Sequence, residues 1–256
     1  MSSTPATGRT TTAFDVLADP RRRYLLSTLQ DRSDPLALET LATEVTVAEQ
    51  DSQIVTDDQV RPVHVELVHS HVPRLLDVGL LTEVTDGTDG GRRTLTLADH
   101  PLLEIDWVTR LLENPAVGPA CDEDELNRTL EVLVPVRRRA ICLVLARRRD
   151  DLTVADLAAT LVTARDDAEL VDGDESQVET RLVHDDLPAL ADAGLLEYDR
   201  GSGRVVLETD AAQWRTDWLA VLLQETSDSV TDDGSDGMLV GQGTDHDDGQ
   251  FGQLDA

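Results

Sequence analysis

Apolar residues across positions 13–114 fall at helical spacing in four stretches and alternate in one. Leu25, Leu26 and Leu29 share a face of a helix expected to start at Pro20, with Asp19 as the cap whose carboxylate takes a free N–H. Leu38, Leu41 and Val45 share a face of a second helix, for which Asp34 is the expected cap and Pro35 the first residue. A polar, poorly patterned stretch covers about 49–60, and a third helix is expected from about 62 to 78. Gly79 then stops it in the left-handed conformation that glycine adopts without a Cβ penalty. Beyond Gly79 the period changes to two. "LLTEVT" and "RRTLTL" flank "DGTDGG", the pattern of a β-hairpin. An amphipathic helix carrying Leu103, Trp107 and Leu111 on one face closes the series.

The series then repeats. "ELVHSHVPRLLDVGLL" (66–81) and "RLVHDDLPALADAGLL" (181–196) agree at nine of sixteen positions. "FDVLADPRRRYLLSTL" (14–29) aligns with "LEVLVPVRRRAICLVL" (130–145), and "DWVTRLLEN" (106–114) with "DWLAVLLQE" (217–225). The second hairpin is expected from "LLEYD" and "RVVLET" around "RGSG", and the second closing helix from Trp214, Trp218 and Leu222. A chain of 256 residues suits two small domains. The expected division is a flexible N-terminus (1–12), a first domain (13–114), a linker (115–125), a second domain (126–225) and an acidic, disordered tail (226–256).

Helix, helix, helix, hairpin, helix is the order of a winged helix-turn-helix domain. The expected fold class is therefore mainly α with small β-hairpin wings (α+β), as two tandem winged helix-turn-helix domains. "VLADPRRRYLLSTL" resembles the first core helix of arsenic-repressor-type regulators, and "HVPRLLDVGLL" resembles the end of their recognition helix. The closer resemblance is to an uncharacterised family of small haloarchaeal winged-helix domains, in which "RRRYLL" is followed by "LVHSHVPRLLDVGLL", unusual proline included. The resemblance implies a fold. It leaves function open, because such domains bind DNA in some proteins and only other proteins elsewhere.

Charge complicates a DNA-binding reading. The chain carries 51 acidic against 22 basic residues, a net charge of −29, and every basic residue is arginine. This composition points to a halophilic, salt-rich cytoplasm, where carboxylates hold hydration and counterions. No apolar run is long enough for a membrane span, and the first residues lack a signal-peptide core. The two cysteines, Cys121 and Cys142, form neither a disulfide framework nor a metal spacing.

On the third helix, Val68, Val72 and Leu75 are expected to face inward. The outer face of the first copy then carries Ser70 and Arg74, with Arg61 at its entrance. His71 is the residue that resembles the regulators' recognition-helix histidine. Arg92 and Arg93 follow the wing turn, where a winged helix reaches phosphate. The DNA-contacting set is therefore Arg61, Ser70, His71, Arg74, Arg92 and Arg93. The second copy has Asp185, Asp186 and Ala189 in place of Ser70, His71 and Arg74, so nucleic-acid contact is expected on the first copy only. His69 and His184 are expected to be structural, hydrogen-bonded near the kink at Pro73 and Pro188. A helical histidine pair two residues apart projects to opposite sides, so His69 and His71 cannot share a metal. The arginine runs are expected to pair with carboxylates inside the molecule. Trp107, Leu111, Trp218 and Leu222 are expected to form a contact between copies or between chains.

No phosphate loop, partnered nucleophile or patterned carboxylate pair is present, so no enzyme, cofactor or metal is expected. Two functions fit. One is a transcription regulator binding double-stranded DNA as a homodimer. The other is a protein-interaction module built from duplicated winged helices. A charge of −29 without lysine has a direct thermodynamic consequence. The melting temperature should rise as KCl increases from about 0.1 M toward molar levels, because screening relieves self-repulsion; a thermal melt flat or falling over that range would contradict this.

Overall fold

The structure, a computed structural model, describes residues 6–30, 32–85, 93–115, 122–148, 151–163 and 174–211. The first repeat begins with α1 (Ala6–Leu17) and α2 (Pro20–Gln30), followed by the short strand β1 (Leu36–Ala37) and α3 (Leu38–Glu49). A long helix comes next: α4 (Asp57–Glu66), a π turn (Leu67–His71) and α5 (Val72–Asp77). Strands β2 (Leu81–Thr85) and β3 (Arg93–Leu97), a 3-10 turn (Pro101–Glu104) and α6 (Asp106–Glu113) complete it. The second repeat has the same order: α7 (Glu123–Val132), α8 (Val136–Arg148), β4 (Leu152–Thr153), α9 (Val154–Thr163), α10 (Glu175–Arg181), a π turn (Leu182–Asp186), α11 (Leu187–Asp192), β5 (Leu196–Asp199) and β6 (Arg204–Leu207). Among the described residues the protein is mainly helical, with two three-stranded antiparallel sheets ordered β1-β3-β2 and β4-β6-β5.

Several expected boundaries move. The sheet has three strands rather than two, because Leu36 and Ala37 pair with Leu95 and Thr94 along the open edge of β3. That extended pair displaces the start of α3, whose N-cap is Ala37 and not Asp34. The long helix starts at Asp57 rather than near 62. Gln59 Oε1 accepts the Thr56 N–H at 2.8 Å, half of a capping box that the polar sequence hid. Helix α1 begins inside the segment expected to be flexible, and α7 begins inside the expected linker. Trp218, Leu222 and the acidic tail lie outside the described residues.

The ends of the long helices agree with expectation. Gly79 sits at φ +78° and Gly194 at φ +73°. The Leu80 N–H bonds the Leu75 carbonyl at 2.9 Å and the Gly79 N–H bonds Leu76 at 3.0 Å, a Schellman motif repeated at Leu195 and Gly194. Leu75 and Leu80 are both fully buried, the apolar contact that accompanies this cap.

The prolines are absorbed by the π turns. The Val72 N–H reaches back five residues to the Leu67 carbonyl, and the Leu187 N–H to Leu182. A proline in regular helix loses one hydrogen bond and crowds the carbonyl four residues back. Widening the ladder just before Pro73 and Pro188 relieves that crowding. The extra residue in each π turn is also drawn inward. Val63, Leu67, His71, Val72 and Leu75 are buried in the first repeat, and Val178, Leu182, Asp186, Leu187 and Leu190 in the second. A uniform 100° wheel places Val68 on that face; in the structure Val68 is only half-buried.

The repeats meet through α1 and α7, and the contact is reciprocal. Arg23 is fully buried. Its Nη1 donates to the Leu17 carbonyl at 2.8 Å, at the end of α1. Its Nη2 donates to Asn127 on α7. Arg139, the equivalent residue, donates through Nη1 to the carbonyls of Leu133 (2.6 Å) and Val134 (2.7 Å), at the end of α7, and through Nη2 to Thr11 on α1 (2.7 Å). In the alignment of the repeats Thr11 and Asn127 are themselves equivalent, so the pair forms an internal two-fold. Arg139 also lies over the Phe14 ring, 4.8 Å from its centroid.

Trp107 and Leu111, expected in a contact between copies or between chains, are instead internal, while Trp218 and Leu222 lie outside the described residues. Trp107 is 1% exposed and Leu111 3%, both inside the first repeat's core. The indole packs on Phe14 with centroids 5.4 Å apart. Sequence reasoning placed these residues outward because an amphipathic helix at a domain end has two candidate uses. Here α1, unrecognised in the sequence, covers that face. Trp107→Ala should therefore cost about 3–5 kcal/mol of stability in chemical unfolding, the usual toll of a truncated core aromatic, while sedimentation of the folded variant matches the parent.

Candidate functional site

The candidate surface is the outward face of the long helix in each repeat, with the sheet edge beside it. In the first repeat Arg61, Pro62, Val65, His69, Ser70 and Arg74 are exposed. Val65 at 49% and Ile54 at 84% are unusually open apolar side chains, and the sequence reading did not single them out. The equivalents in the second repeat, Ser176, Gln177, Thr180, His184, Asp185 and Ala189, include no cation.

The six predicted contact residues do not act as one set. Arg61 is exposed and makes no ion pair among the described residues, and Ser70 farther along the helix is also exposed. Arg74 turns back along the protein. Its Nη2 lies 2.5 Å from Asp15 Oδ2 and its Nε at 3.2 Å, and this bond holds the guanidinium above its usual range. Arg93 forks onto Glu83 with both distances 2.9 Å, which raises Arg93 and lowers Glu83. Arg92 lies outside the described residues.

His71 requires a correction. The π turn carries it inward to 9% exposure, off the face a ligand would meet. Its Nδ1 lies 3.7 Å from Asp19 Oδ2 and its Nε2 3.8 Å from Glu66 Oε2. It lines a cavity of about 380 Å³ with Arg21, Tyr24, Glu49 and, from the second repeat, Glu123. His69 and His184 also differ from expectation. Both are exposed and, among the described residues, form no hydrogen bond near the proline.

The partner of His71 in the second repeat, Asp186, is fully buried. Arg137 forks onto it through Nε and, at 3.0 Å, Nη2, and Arg138 Nε adds a bond at 3.2 Å. The hydrogen bond to Asp186 holds Arg137 above its ordinary range. In the first repeat the equivalent Arg21 instead joins Glu49 and Glu66. Arg21, Arg137 and Arg138 thus pair internally as expected, whereas Arg23 and Arg139 take backbone carbonyls and the buried Arg22 Nε has no hydrogen-bond partner among the described residues. Nothing in the sequence pattern pointed to these partners, which lie tens of residues away. Among the described residues no cluster of histidine, cysteine or carboxylate side chains could hold a metal ion, and no helix is long and apolar enough to cross a membrane.

Asp186 is the one anion facing two half-buried guanidiniums. Asp186→Asn should lower unfolding stability by about 3 kcal/mol, the scale for removing one member of a buried pair, whereas Asp185→Asn, at the exposed neighbour, should hardly move the unfolding midpoint in the same titration.

No curated protein and no solved structure matches this chain. One family model does, at residues 14–87 and again at 130–206, which together span more than half of the sequence and run from the end of α1 through β2 in the first repeat and from the end of α7 into β6 in the second. The chain belongs to the DUF7344 family, a domain of unknown function, and carries it twice.

Proposed function

We propose that the protein is a tandem winged helix-turn-helix regulator of a halophilic cytoplasm that binds duplex DNA through its first repeat. The order α2-β1-α3-α4/α5-β2-β3 supports the winged-helix reading, with the long helix as recognition element and β2-β3 as wing. One observation carries the assignment to the first repeat. Its exposed helix face presents Arg61, a guanidinium with no carboxylate partner among the described residues, with Ser70 following, where the second repeat presents Ser176 and Asp185. At about 1 M salt the screening length is only about 3 Å, so counterion release contributes little and affinity rests on short, directional contacts. The arginine fork suits such contacts better than a lysine point charge.

A second reading is favoured by Arg74 and Arg93, both occupied by carboxylates, and by the exposed acids Asp57, Asp58 and Asp77 on the same helix. Under it the helix faces bind proteins, and Ile54 and Val65 supply the apolar contact.

Fluorescence anisotropy with genomic duplex fragments across a KCl series tests the choice. Arg61→Ala should weaken binding by about 1–3 kcal/mol, the range for one arginine contact. Arg204→Ala, whose guanidinium is paired with Asp151 on the second sheet, should leave it unchanged. Equal losses would remove the division between repeats, and no binding to any duplex even at low salt would hand the site to the protein-interaction reading.

A further inference from the structure

The second repeat has a groove of about 240 Å³ between α7, α8 and α11. It is lined by Val132, Ala189 and Ala193, by the carboxylates of Glu131 and Asp192, and by Arg128 and Arg138. The aligned position in the first repeat is filled. There Arg74, which aligns with Ala189, lays its guanidinium on Asp15, which aligns with Glu131. Asp77, which aligns with Asp192, adds its charge to the field around Arg74. The second repeat thus keeps both carboxylates of an arginine site and has lost the arginine.

Neither arginine at the groove takes its place. Arg138 is committed to Asp186 and to the Val132 carbonyl, and Arg128 Nε donates to the Asp124 carbonyl within its own helix. Glu131 and Asp192 are exposed and form no ion pair among the described residues. Two carboxylates over an apolar floor match a guanidinium, whose planar fork bonds oxygen at its edge and whose weakly hydrated face lies on methyl groups.

We propose that this groove is a receptor for an arginine side chain of a partner protein, seated on Glu131 in the field of Asp192 as Arg74 is seated on Asp15 in the field of Asp77. The first repeat carries its arginine in its own helix, and the second takes one from another chain. This assignment does not depend on DNA binding by the first repeat.

The test uses the full chain with labelled alanine and valine methyl groups, observed by NMR, and a blocked arginine, N-acetyl-arginine methylamide, as the probe. Saturable shifts are expected at Ala189 and Ala193. The lysine analogue should bind at least about threefold more weakly, because an ammonium cannot fork. Glu131→Gln should weaken the response about fivefold, and Ala189→Arg should abolish it by refilling the groove from within. In a complementary variant, Arg74→Ala should open the first repeat, so that the same probe now shifts Val16 and Val78. No saturable shift at Ala189 and Ala193, an unchanged response in Ala189→Arg, or no new response in Arg74→Ala would each overturn the proposal. Free L-arginine binding tenfold tighter than the blocked form would overturn the protein partner as source, since the groove would then be reading the amino acid's own ends.

Discussion

Two buried guanidiniums hold the repeats together. Burial pushes both Arg23 and Arg139 down to about 10, a measure of what desolvation costs them. The cost is offset by acceptors that are themselves in need of donors. The last carbonyls of α1 and α7 have no partner within their own helices, and each arginine closes them. The remaining N–H groups then cross to the other repeat, to Asn127 and Thr11. Phe14 extends the arrangement inward, with Arg139 on one side and Trp107 on the other. The contact between repeats and the core of the first repeat are therefore one continuous structure.

The π turns are the second constraint. An extra residue in a helix rotates everything beyond it unless the ladder widens locally. By bulging, each long helix keeps Val63 and Leu67, or Val178 and Leu182, in phase with the leucines that follow. The residue that pays for this is forced inside whatever its chemistry. The first repeat places an imidazole there between two carboxylates; the second places a carboxylate between two guanidiniums.

Much of the fold was legible in the sequence. The duplication, the hairpins and the glycine stops follow from local chemistry: period two around a glycine turn, and a positive φ that only Gly79 and Gly194 accept cheaply. The missing elements lack that chemistry. In "ATGRTTTAFDVL" only the last turns carry apolar residues, so α1 reads as a polar lead-in. A two-residue strand such as β1 has no alternation to detect, and its existence depends on the edge of β3. The candidate site was less legible. Ser70 and Arg74 are exposed as the helical wheel placed them, and Arg61 is exposed as well; His71, singled out by its resemblance to a regulator's histidine and not by the wheel, is buried at the π turn. The ion pairs of Arg74 and Arg93 join residues 59 and 10 positions apart, information that periodicity does not contain.

The paired solutions at His71 and Asp186 also limit how such repeats can be recombined. A chimera giving the first repeat the long helix of the second would set Asp186 beside Asp19, while Arg21 lost its Glu66 partner, because Arg181 stands there in the donor helix. The reverse exchange would leave Arg137 and Arg138 facing an imidazole. The long helix and the arginine-bearing helix beneath it are thus a single unit of inheritance. In this chain the outer faces of the two repeats differ residue by residue, whereas beneath the π turn the differences come in matched sets.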